Sequence, residues 1–183
     1  MTAEKFKRKL TAILSADVKG YSRLMGEDEE GTIRTLSAYK EAMTGFIQKH
    51  QRRVVGTAGD SVLAKFASVV DAVQCAVEIQ EVLRAKNALL PEDRRVDFRI
   101  GINLGDEWGR RYDLRGWSEH RSPTEALAEA GGICISESAY HRDQSRNNNP
   151  IAALRKAGLR AAERVRLCNF AGHWEMGGIQ STG

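Results

Sequence analysis

The sequence predicts an α+β fold: a ferredoxin-like (split βαβ) antiparallel sheet with its helices on one face. Three observations carry it. The apolar periods run in the order strand, helix, two strands, helix, strand. Two segments of about twenty residues keep a helical spacing of apolar side chains. Between them a glycine-bearing turn separates two short strand-type runs.

Taken in order, residues 10–18 form the first strand, entered through the apolar pair Ile13 and Leu14 and ending near Asp17. Residues 28–49 form a helix on which Ile33, Leu36, Tyr39, Ala42, Met43, Phe46 and Ile47 recur at helical spacing. Acidic residues at 27–30 enrich its first turn, as the helix dipole favours. Val54 and Val55 belong to one strand and residues 61–66 to the next, with Thr57, Ala58, Gly59 and Asp60 as the hairpin turn. A second helix spans 69–87, with Val73, Ala76, Val77, Gln80 and Leu83 on one side. Residues 91–95 break the chain, and 96–104 return as a strand of alternating apolar residues.

Composition bounds the function. At 183 residues, 42% of them apolar, the chain builds one core and is too short for two comfortable ones. No apolar run reaches the length of a membrane span, and residues 1–10 are too charged for a signal peptide, so the expectation is a cytoplasmic chain with no membrane partner. Cys75, Cys134 and Cys168 lie far apart without metal-type spacing. Cys75 on an apolar helix face and Cys134 in an apolar strand read as small core residues of a reducing compartment. His50, His120, His141 and His173 form no ligand pattern. The net charge of +4 lies in residues 141–183, where Arg142, Arg146, Arg155, Lys156, Arg160, Arg164 and Arg166 outnumber Asp143, Glu163 and Glu175. A basic tail of this kind can meet nucleic acid, the least favoured of the partner readings, because the glycine- and aromatic-rich sheet motif of RNA-recognition domains is absent.

Chemistry concentrates in two short segments, Asp17-Val18-Lys19-Gly20-Tyr21-Ser22 and Gly56-Thr57-Ala58-Gly59-Asp60-Ser61. Each sets one aspartate among strand-forming residues beside a glycine turn. A hard cation such as magnesium takes oxygen ligands, keeps several waters and needs only one or two protein carboxylates plus substrate phosphates, which Asp17 and Asp60 can supply. Lys19, Gly20, Tyr21 and Ser22 lead into a helix whose first N–H groups favour phosphate. Each aspartate taken alone also has a local reading, since a turn aspartate can bond its own backbone.

These segments, with Phe98-Arg99-Ile100-Gly101-Ile102-Asn103 and Glu125-Ala126-Leu127-Ala128-Glu129, resemble in order the class III adenylate/guanylate cyclase catalytic domain of the bacterial branch. The resemblance covers residues 8–106 and a block from 125 to 136. It implies the class III nucleotidyl cyclase type of α+β fold, and a reaction in which a nucleoside triphosphate, ATP ahead of GTP, becomes cyclic nucleotide and pyrophosphate. It implies two Mg2+ or Mn2+ ions on Asp17 and Asp60 and nucleotide contacts from Lys19, Gly20, Tyr21, Ser22 and Gly59. It further implies a homodimer or heterodimer, with each site built across the interface.

Two segments depart from the family. Counting back from Glu125, the asparagine and arginine that stabilise the transition state fall on Glu119 and Pro123, and neither can act as its counterpart: one repels phosphate and the other has no donor. Residues 107–124 have the Arg, Trp, His and Pro content of GC-rich DNA read out of frame, as a pair of compensating frameshifts would leave; the alternative is a divergent loop. Residues 141–183 do not resemble the family, which places the domain at 1–140 with a basic tail beyond. The purine-reading lysine position holds Gly56. An active cyclase and a degenerate, inactive domain serving as heterodimer partner are therefore both open on sequence.

Overall fold

The computed structural model describes residues 9–50, 52–107, 124–144 and 165–168; the positions of Glu119 and Pro123 lie outside them. The elements are β1 (Lys9–Val18), α1 (Tyr21–Glu27), α2 (Glu29–Lys49), β2 (Arg53–Ala58), β3 (Ser61–Phe66), α3 (Val69–Asn87), β4 (Phe98–Glu107), β5 (Ile133–Ser136), α4 (Glu137–Gln144) and β6 (Val165–Cys168). Among the described residues no helix is long and apolar enough to cross a membrane.

The two long helices start where the sequence offers caps. The Asp28 carboxylate accepts from Gly31 N at 3.0 Å to open α2, and Ser68 Oγ accepts from Asp71 N at 3.1 Å to open α3. Acidic residues in the first turns and Lys49, or Arg84 and Lys86, in the last turns suit the dipole at both ends.

The sheet runs β2-β3-β1-β4-β5-β6. Its first four strands pair antiparallel in the split βαβ order, as expected. β5 and β6 then add parallel to β4, each beside the last, so the complete sheet is mixed. A strand of the basic tail thus joins the sheet, which extends beyond the boundary expected at residue 140.

Register sorts the two faces. Leu14 lies opposite Ile102 and Ala64, Ala16 opposite Ile100 and Val62, and Val18 opposite Phe98, and all are buried beneath α2 and α3. The intervening positions Ser15, Asp17, Arg99, Gly101 and Asn103 point to the other face, because successive side chains alternate across a strand. A slip of one residue would bury Asp17 in the core and expel Val18, so burial of the apolar set fixes where the carboxylate points.

A buried polar hub ties the end of α3 to the start of β4. Asn87 Oδ1 accepts from the Tyr39 hydroxyl at 2.8 Å and from Val96 N at 3.1 Å, and Asn87 Nδ2 donates to Val96 O at 3.1 Å and Asp97 Oδ1 at 3.0 Å. Burial, and then the Asp97 charge, push the Tyr39 phenol above its ordinary pKa and keep it a donor. Asn87→Ala removes all four bonds and leaves buried partners unpaired. It is expected to lower stability by about 2–4 kcal/mol, read as a reduced urea midpoint at unchanged slope.

The cysteines need one correction. Cys75 and Cys134 are fully buried, as core residues should be, but Cys134 is disulfide-bonded to Cys168. The partner lies on the adjacent strand and 34 residues away in sequence, a pairing that spacing alone does not reveal.

Candidate active site

The two aspartates highlighted by the sequence meet at one corner of the sheet. Asp17 is the penultimate residue of β1, on the face away from α2 and α3. Asp60 follows Gly59 in the β2–β3 turn, and Gly59 takes a φ of 53°, a left-handed conformation that glycine adopts without cost. Asp60 Oδ2 accepts from the backbone N–H of Val18 at 3.2 Å, which fastens the turn to the residue next to Asp17. Long-range pairing of β1 with β3 makes this possible.

Lys40 of α2 supports the turn from its other side by donating to the Gly59 carbonyl. Partial burial lowers the Lys40 pKa, and the neighbouring Asp60 charge opposes that shift.

Lys19, Gly20, Tyr21 and Ser22 continue from β1 at the same corner. Lys19 N donates to Asp97 O at 2.9 Å. Gly20 has a φ of 72° and precedes α1 without a side-chain cap, so it turns the chain sharply from strand into helix.

Sequence reasoning passed over Arg99. In β4 it lies directly opposite Asp17, and its guanidinium grips both carboxylate oxygens: Nε to Oδ1 at 3.0 Å and one terminal nitrogen to Oδ2 at 2.6 Å. Both side chains are about a fifth exposed, with relative values of 21% and 22%. This is the bidentate geometry that makes arginine pairs directional. The other terminal nitrogen donates to Ala126 O at 3.3 Å, so one side chain links the aspartate to the 124–132 segment. The available signal was a lone cation on the polar phase of an alternating strand.

In that segment residues 124–127 form turns, with Ala128 N donating to Glu125 O at 3.0 Å. Pro123 immediately before them has no N–H and disfavours a helix running through.

As a cation site the donor set is sparse. Among the described residues no group of three or more His, Cys, Asp or Glu side chains converges. Two carboxylates at one corner are nonetheless what a magnesium-like ion needs when phosphates and water complete its shell. The residues fit such an ion on one condition, that Arg99 yields the oxygens of Asp17.

The backbone match is broad. No family model matches the chain. The structure of an adenylate/guanylate cyclase/hydrolase from Silicibacter pomeroyi superposes with a TM-score of 0.63 at 33% identity, over 78% of this chain and 84% of that one. The chain belongs to the class III adenylate/guanylate cyclase family. The adenylyl cyclase CyaB from P. aeruginosa shares the fold at 22% identity, with a TM-score of 0.59 over 78% of this chain and 84% of that chain. A Rhizobium meliloti (strain 1021) protein named "Putative adenylate cyclase 3" is 44% identical over 142 residues, 76% of this chain. The cyclase domain described here spans 24% of that relative's length.

Proposed function

We propose that this cyclase domain converts a nucleoside triphosphate, ATP ahead of GTP, into cyclic nucleotide and pyrophosphate as half of a dimeric site in the cytoplasm. The observation that supports it most directly is the bond from Val18 N to Asp60 Oδ2, which holds the second carboxylate against the residue next to Asp17. Asp17 and Asp60 hold Mg2+ or Mn2+, and Lys19, Gly20, Tyr21, Ser22 and Gly59 line the nucleotide. Two such ions supply activation of the attacking hydroxyl and charge neutralisation of the triphosphate. Arg99, once released from Asp17, leaves its planar fork of donors at the same corner, suited to a phosphate oxygen.

A second reading is favoured by residues 107–124. With Glu119 and Pro123 at the positions of the asparagine and arginine, this chain contributes the metal half of a site whose transition-state half comes from an intact partner. The domain proper is residues 1–140, with β6 added from the basic tail. Nucleic-acid binding by that tail is the weakest reading.

Titration calorimetry with manganese and a non-hydrolysable ATP analogue tests the metal assignment. The wild-type chain binds, and Asp17→Asn and Asp60→Asn each weaken binding about tenfold or more, since each removes a carboxylate charge. Unchanged affinity in both variants would remove the basis for placing metal there.

A further inference from the structure

The disulfide joins two neighbouring parallel strands, with Cα atoms 6.0 Å apart, inside the range such a bond requires. It runs diagonally, since Cys134 faces Arg166 in register and Cys168 faces Ser136. β6 has four residues and is the last strand of the sheet among the described residues, held there by parallel pairing that is slightly the weaker kind. A bond there restrains an element that would otherwise separate easily.

Two further contacts carry that restraint toward the site. Cys134 and Cys168 pack with Ala128 and Leu127 as a small cluster separate from the main core. Arg166 of β6 pairs with Glu129 at 3.3 Å. Both contacts fall on the 124–132 segment, whose Ala126 carbonyl accepts from Arg99. Arg99 in turn holds Asp17.

We propose that Cys134 and Cys168 form a reversible oxidation site whose closure fixes the 124–132 segment and, through it, the hold of Arg99 on Asp17. The oxidant is a peroxide. The Cys168 sulfur attacks one peroxide oxygen, the O–O bond breaks, and water leaves with the thiol proton, giving a sulfenic acid. The Cys134 sulfur then attacks the Cys168 sulfur and expels the second water. Two thiols lose two protons and two electrons, and the peroxide is reduced to two waters. A dithiol reverses the step by exchange. Cys168 meets the oxidant first because it keeps 6% exposure, whereas Cys134 has none. Cys75 stays outside this chemistry: it is buried in α3, and burial pushes its thiol pKa up to about 12.

The consequence for turnover rests on the cyclase reading, but the latch can be read without catalysis. The full chain is reduced with dithiothreitol, freed of it, and half is treated with equimolar hydrogen peroxide. Maleimide labelling after unfolding, followed by mass spectrometry, counts the thiols. All 3 cysteines label in the reduced chain, and Cys75 alone after peroxide. Amide exchange at residues 125–129 slows about tenfold or more on oxidation and recovers with dithiothreitol. Cys168→Ser abolishes the response to peroxide, and Cys75→Ala keeps it. Full labelling after peroxide, cross-linked dimers in place of the internal bond, or a closed bond with unchanged exchange each overturns the proposal. The comparison of reduced with oxidised wild-type chain needs no substitution, so a variant that fails to fold does not remove the test.

Discussion

Mixed with an intact cyclase homologue whose two metal aspartates have been changed to alanine, this chain is expected to support formation of cyclic nucleotide, whereas either protein alone is expected to form almost none. On the proposed reading, one of the two composite sites of a mixed dimer would contain every part: Asp17 and Asp60 from this chain, and the base-reading and transition-state residues from the other. The gain over either protein alone is expected to be at least about a thousandfold, by analogy with oriented cations at phosphoryl-transfer sites. Asp17→Ala or Asp60→Ala in this chain returns the mixture to background. Product is measured with ATP and with GTP in manganese, alongside native mass spectrometry to count mixed dimers. Turnover by the isolated chain equal to that of the mixture would show that Glu119 and Pro123 do not disable it. Mixed dimers that form and stay silent would assign the chain to the inactive class.

The second large effect is structural. A Cβ placed on Gly101 would lie 2.4 Å from Glu125 N and 2.8 Å from Thr124 C, both backbone atoms that have no rotamer to escape into. Gly101→Ala is therefore expected to lift the 124–125 segment off β4, exposing Thr124 and Glu125, which are buried at 3% and 9%. The cost is about 2–4 kcal/mol, the range for overpacking combined with loss of buried polar contacts. Thermal unfolding measures the loss. Amide exchange shows whether it is local, because faster exchange at 124–129 with α3 still protected is the expected pattern. An unchanged melting temperature would mean that the segment does not rest on Gly101.

Gly101 and Arg99 share the polar face of β4. Arg99 reaches across to Asp17 and to Ala126, and two residues on Gly101 lets the segment approach. Loss of the segment would leave Arg99 with Asp17 as its partner, and occupation of Asp17 by a cation would leave it with Ala126 and any phosphate present. A side chain with two anchors of this kind can report the state of one to the other.

Local pattern determined much of the chain. α3 begins and ends where the 69–87 period does, because its apolar face must meet the sheet and Ser68 caps its entry. The hairpin turn at Gly59, the strand carrying Asp17 and the order of the first four strands were likewise legible, since periods of 3.6 and 2 and turn residues are encoded within a few positions of each other. Motif order also pointed to the family and to both aspartates. What the tertiary structure decided are the pairings across large sequence separations: Arg99 with Asp17 over 82 residues, Val18 with Asp60 over 42, and Cys134 with Cys168 over 34. Strand register sets these partners, and register follows from burying the apolar face of the whole sheet at once, which no local window contains.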